Sequence, residues 1–127
     1  MKLFWSAEAA EVKAGVDPTF VKAMDAKIET LIFRAREMPE DAQLKWTERE
    51  GGATTWHYRV PSEFDGTKSY DVRISTAEDR ALPYGVDVEC TCPYYASRDC
   101  IATDDAGQLA VCKHIIKAML KGPPPSD

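Results

Sequence analysis

The sequence predicts an α+β fold: N-terminal helices, a three-stranded antiparallel meander and a C-terminal helix, joined by a structural zinc site. Three observations carry that prediction. Apolar residues recur at three- and four-residue spacing in the first third of the chain, then alternate with polar ones in the middle third. Two pairs of ligand-type residues, Cys90 with Cys92 and Cys112 with His114, fall where the last strand should end and the last helix begin. The composition, 127 residues with 44% hydrophobic and 29% charged, is that of a soluble globular chain with a modest core.

In the first third, Asp17-Pro18 supplies an N-cap acceptor followed by proline at the first helical position. Phe20, Met24, Ile28, Leu31, Ile32 and Ala35 then mark one apolar helix face, ending near Met38-Pro39. A shorter helix over 6–14, stopped by Gly15, precedes it. Residues 1–50 therefore read as a helical N-terminal segment whose stripe packs into a core, or docks on a partner or a second copy. In the middle third, Trp56, Tyr58 and Val60 alternate with Thr55, His57 and Arg59, and Tyr70, Val72 and Ile74 alternate with Asp71, Arg73 and Ser75. Asp65-Gly66 is the turn signal between these two strands. A third run follows a turn near Leu82–Gly85: Val86, Val88, Cys90 and Cys92 share one parity. His57, opposite in parity to the apolar set, reads as a solvent-facing strand residue and not as a ligand or base. The last third is a loop, with a turn at Asp104–Gly107, followed by a helix carrying Ile115, Ile116, Met119 and Leu120 and stopped by Gly122 and three prolines. Residues 51–122 read as the zinc-binding module and 123–127 as a disordered tail.

Charge and hydropathy narrow the function. No apolar run approaches the roughly 20 residues that span a bilayer, and Leu3-Phe4-Trp5 is too short a run for a secretory signal. The expected location is therefore cytoplasmic, with nucleoid or nucleus open and no membrane partner. In a reducing compartment, cysteines are ligands more often than disulfides. The net charge is −5, and its excess sits in residues 39–90. That balance is unlike a protein living on phosphate backbones. No nucleophile–base pair, paired carboxylates or open metal position is visible. The reading is a non-enzyme with no small-molecule substrate.

The ligand spacing has a physical logic. Alternate strand residues face one side, with Cα atoms about 6.5–7 Å apart, and zinc–thiolate bonds of about 2.3 Å bring two sulfurs within roughly 3.8 Å. Cys90 and Cys92 can therefore hold one ion at the end of a strand, with Pro93 ending the ladder. Positions two apart on a helix point about 200° away from each other. Cys112 and His114 can converge only if Cys112 precedes the helix and His114 lies in its first turn. Four protein ligands close the coordination sphere and make the zinc structural.

"CTCP…CKH" resembles the SWIM zinc finger: Cys90-x-Cys92-Pro93, a variable loop, then Cys112-Lys113-His114 and an apolar helix. The resemblance covers roughly residues 54–121. It implies a ββα-like zinc module, one Zn²⁺ per chain, that binds DNA or proteins. It leaves Cys100 out of the ligand set; an all-cysteine site with Cys100 in place of His114 is the alternative. Arg98, Lys113, Lys117 and Lys121 read either as a nucleic-acid-binding face or as a solvated helix face, since the last three are four residues apart. Tyr94 and Tyr95 could stack on bases, but read rather as cover for the metal. The expectation is a protein-interaction adaptor in a DNA-transaction assembly, with direct DNA or RNA binding as the alternative and self-association through the N-terminal helix open.

Overall fold

The structure, a computed structural model, describes residues 22, 24–51, 53–62, 67–77, 87–97, 101–104 and 109–121. Helix α1 (Lys27–Glu37) leads into strands β1 (Gln43–Glu50), β2 (Ala53–Pro61), β3 (Ser69–Ala77) and β4 (Asp87–Cys90). Helix α2 (Pro93–Ser97), the short strands β5 (Ala102–Thr103) and β6 (Ala110–Val111), and helix α3 (Lys113–Lys121) follow. The chain is α+β: β1 to β4 form one antiparallel sheet in sequence order, and β5 and β6 form a two-stranded hairpin. No helix among the described residues is long and apolar enough to cross a membrane.

The sheet has four strands where the sequence pattern predicts three. Gln43–Glu50 lies in the stretch read as helical and instead pairs antiparallel with β2. All eight of its residues are exposed, so neither face selects apolar residues and the alternation that reveals a strand is lost. A bulge between Leu44 and Trp46 shifts the register. Leu44 opposes Tyr58, whereas Trp46 opposes His57 on the other face. Glu50 pairs with Ala53 across Gly51-Gly52. Gly51 has φ of 56°, the left-handed conformation that two-residue hairpin loops require and glycine adopts without penalty. A boundary after residue 50 therefore falls inside this hairpin.

The helical stripe expected from Phe20 to Ala35 is also interrupted. Met24 bridges to Asp104, and Asp25 starts α1 afresh. Its Oδ1 accepts the Lys27 N–H at 2.9 Å and its Oδ2 accepts the Thr103 N–H at 3.3 Å. The Asp25 N–H donates to Thr103 O at 2.9 Å. A short acidic side chain competes in this way with helical pairing and favours a turn. Helix α1 ends at Glu37, before Pro39, as the restriction on pre-proline residues requires.

One core joins these elements. Ile28, Leu31, Ile32 and Ala35 of α1 meet Ile115, Ile116, Ala118 and Met119 of α3 and the inner sheet face, Tyr58, Val60, Val72, Ile74, Val88 and Cys90. The expected helix over 6–14, the Asp17-Pro18 cap, the turns at Asp65-Gly66 and Leu82–Gly85, Val86, and the tail at 123–127 lie outside the described residues. The turn expected at Asp104–Gly107 is described only at Asp104. There Leu109 N–H donates to Asp104 Oδ1 at 2.8 Å, holding the β5–β6 hairpin.

Candidate metal centre

Strand β4 ends at Cys90 and Pro93 opens α2, so Cys92 sits at the bend between them. The ladder still steers it, because Thr91 N–H donates to Asp71 O at 3.1 Å and Asp71 N–H to Thr91 Oγ1 at 2.9 Å. At the other end, Cys112 lies just before α3 and its carbonyl accepts the Ile116 N–H at 3.1 Å. His114 falls in the first turn, the only arrangement in which residues two apart can converge here.

The four side chains meet inside the core. Cys90, Cys92, Cys112 and His114 are 6%, 0%, 1% and 1% exposed, and one ligand atom from each lies within 4.8 Å of all the others. Cys92 Sγ is 3.7 Å from Cys112 Sγ, and Cys112 Sγ is 3.8 Å from His114 Nδ1. A tetrahedral ion with bonds of about 2.3 Å to sulfur and 2.05 Å to nitrogen needs edges of about 3.8 and 3.6 Å. The two edges through Cys112 Sγ match these lengths, and all four ligand atoms lie close enough together to hold a single metal ion.

Backbone amides point at the sulfurs. Cys92 N–H donates to Cys90 Sγ at 3.4 Å, and Tyr95 N–H donates to Cys92 Sγ at 3.4 Å. Both would stabilise thiolates. Contacts among the thiols set their acidity. Hydrogen bonds from Cys112 and Cys90 pull Cys92 far below the ordinary thiol range. Cys90 is pushed far above it by Cys112, Cys92 and burial. Cys90 draws Cys112 down, but Cys92 and burial outweigh that and push it up to about 12. The cluster thus favours a single thiolate until a cation offsets the others.

Neighbours hold the ligands in place. Tyr95 packs on the core and its hydroxyl donates to Val88 O at 3.2 Å. The Tyr70 ring lies 4.9 Å from the His114 ring. Buried His114 Nε2 has no hydrogen-bond partner among the described residues. Lys113 places Nζ 5.5 Å from the Tyr94 ring centroid, linking α3 to α2. The sequence hinted at Tyr95, three residues after Cys92 in a proline-started turn. Nothing local pointed to Tyr70.

The other singled-out residues fall elsewhere. Lys113 and Lys117 are buried, 6% and 9% exposed, and do not form an exposed row. Lys117 Nζ donates to Met38 O at 3.3 Å, capping the end of α1, and lies 3.8 Å from Asp41. Arg98, Cys100 and the Lys121 side chain lie outside the described residues. His57 is on the opposite sheet face from the cluster, half-buried, stacked on Trp46 at 4.2 Å, with Nε2 2.8 Å from Glu48. Comparison with known proteins gives no match: no protein-family model fits the chain, and no curated protein or solved structure matches it.

Proposed function

We propose that Cys90, Cys92, Cys112 and His114 bind one Zn²⁺ as a structural ion, and that the chain is a SWIM-like, non-enzymatic interaction module within a nucleic-acid-related assembly. The convergence of these four buried donors within 4.8 Å of one another, with the Cys92–Cys112 and Cys112–His114 edges at 3.7 and 3.8 Å, carries this reading. Three sulfurs and one imidazole suit zinc over the hard cations, which prefer oxygen. With four protein donors the ion has no open position for substrate or water, which favours a structural over a catalytic role. The N–H···S contacts and the Tyr95 clamp support the same reading, since structural sites draw on such outer contacts.

The preference for a protein partner over direct nucleic-acid binding rests on the burial of Lys113 and Lys117. Metal analysis of the purified chain tests the zinc assignment. One zinc per chain is expected, with Co²⁺ substitution giving the visible bands of a tetrahedral sulfur-rich site. His114→Ala should lose the metal and Cys100→Ser should keep it. Full zinc in His114→Ala would sink the ligand set.

A further inference from the structure

The outer face of the four-stranded sheet carries features that the metal site does not use. The register places Trp46, Glu48 and Glu50 of β1 on this face with His57 and Arg59 of β2. Asp71 and Arg73 of β3 and Asp87 and Glu89 of β4 share it. Among the described residues, its five carboxylates (Glu48, Glu50, Asp71, Asp87, Glu89) stand against two guanidiniums (Arg59, Arg73), a balance of −3; all seven residues are exposed, Arg73 pairs with Glu89, and Arg59 lies 4.0 Å from Asp71. Among the described residues, the helices pack on the inner face.

Trp46 is 55% exposed yet held in place. Its ring stacks on His57 at an interplanar angle of 15°, and its indole N–H donates to Glu48 Oε1 at 2.9 Å. That bond and His57 hold the Glu48 carboxyl below its ordinary range, so it stays ionised. A tryptophan fixed in an exposed position loses little freedom on binding, and tryptophan is enriched among residues that dominate interfaces. Beside it, a shallow depression lined by His57, Asp71, Arg73, Glu89 and Thr91 continues towards β4.

We propose that this face is the docking surface of the module, and that its occupant is a Lys/Arg-rich protein segment anchored on Trp46 and attracted by Glu48, Glu50, Asp87 and the Arg73-paired Glu89. The sign of the charge selects the occupant. A phosphate backbone is repelled by the same carboxylates that attract ammonium and guanidinium groups. A second copy would bring another −3 against this one, and the bulge and charges of Lys45, Glu48, Arg49 and Glu50 guard the β1 edge against self-pairing. Trp46 offers a cation the face of its ring system as well. Crossing from β1 to β4 covers three strand spacings, about 14 Å, so about five extended residues suffice. The inference rests on the interaction-module reading above and names its partner's chemistry.

The test is a titration of the ¹⁵N-labelled, zinc-loaded full chain with a Lys/Arg-rich peptide about 12 residues long, long enough to cross the sheet. Shift changes are expected at the Trp46 indole, His57, Arg73 and Glu89, and affinity should fall as salt rises. Trp46→Ala should weaken binding about tenfold, and the Glu48→Lys, Glu89→Lys double variant at least as much. Both should retain zinc and the wild-type melting profile. No binding, shifts confined to α1 or α3, unchanged affinity in both variants, tighter binding of duplex DNA, or dimerisation through this face would each overturn the proposal. Metal analysis of the same samples separates the two readings. A zinc-loaded chain that ignores the peptide refutes the docking surface alone, and a chain that takes up no zinc on addition of the metal yet shows these shifts refutes the zinc assignment alone.

Discussion

Zinc uptake should release about two protons per ion, not three. The perturbation is the addition of Zn²⁺ to metal-free protein at about pH 8, above the ordinary imidazole range. Three free thiols in an unfolded chain, each with a pKa near 8.5, would carry roughly 2.3 protons at pH 8 and nearly three at pH 7. In the folded cluster the count differs because the sulfurs share one environment. Cys92 Sγ and Cys112 Sγ are 3.7 Å apart and buried. Two negative charges at that separation with little water between them oppose each other strongly. Contacts among the three sulfurs lower Cys92 and raise Cys90 and Cys112, which favours one thiolate and two thiols in the metal-free cluster.

Binding must therefore displace about two protons, and the number should stay near two from about pH 7 to pH 9. The apparent affinity then rises about a hundredfold per pH unit across that window. The sign follows from the raised pair, since acid favours the protonated, metal-free form. Calorimetric titration in buffers of different ionisation enthalpy counts the protons directly. A count near three at pH 7 that falls as pH rises through 8.5 would mean that the thiols ionise independently, refuting the shared cluster. A count below about one would mean that the thiols are not the ligands.

Three further outcomes follow from the fold. Lys117→Met should destabilise the zinc-loaded protein to urea by about 1–2 kcal/mol, because it leaves the Met38 carbonyl without its donor. Tyr58, 2% exposed, has its pKa raised by burial from 10.0 to about 12. The stability from keeping it neutral is full below pH 10 and is lost as pH climbs through about 12, by up to about 3 kcal/mol; Tyr58→Phe should flatten that alkaline limb in denaturation curves. Asp25→Ala removes acceptors of the Lys27 and Thr103 N–H groups and should lower the thermal midpoint, costing about 1–2 kcal/mol. An unchanged midpoint would mean that the α1 start does not depend on the β5 loop.

What was legible in the sequence depended on whether a local pattern reported a non-local fact. The ligand set could be read because its spacing encodes geometry: two apart at a strand end, and two apart across a helix start. Strands β2 and β3 were legible because one of their faces is buried and the other is not. Strand β1 was hidden because both its faces are exposed, although Gly51-Gly52 marked its turn. The break before α1 was hidden because it depends on Thr103 and Asp104, about eighty residues away. Lysines at four-residue spacing suggest a solvated face, but Lys117 is held by groups in the connection between α1 and β1, donating to Met38 O and lying 3.8 Å from Asp41.

That last misreading bears on function. A surface helix buries one stripe and shows the other to solvent. From Lys113 to Met119 every residue of α3 is buried, with α1 on one side and the sheet on another. A helix that reads a nucleic-acid groove must present several side chains outward, and α3 could do so only by leaving the core and giving up His114 from the cluster. The element carrying the cations is thus committed to holding the module together. Sheet strands β1 to β4 lack that commitment on their outer side. The inner side chains of β2 to β4 build the core and fix Cys90, while Trp46, Glu48, Asp87 and Glu89 stand on the outer face and take no part in that core. With the Cys/His cluster and the last helix facing inward, a partner of the kind proposed would meet the chain on another surface, and among the described residues the acidic outer sheet face carries Trp46, held by His57 and Glu48.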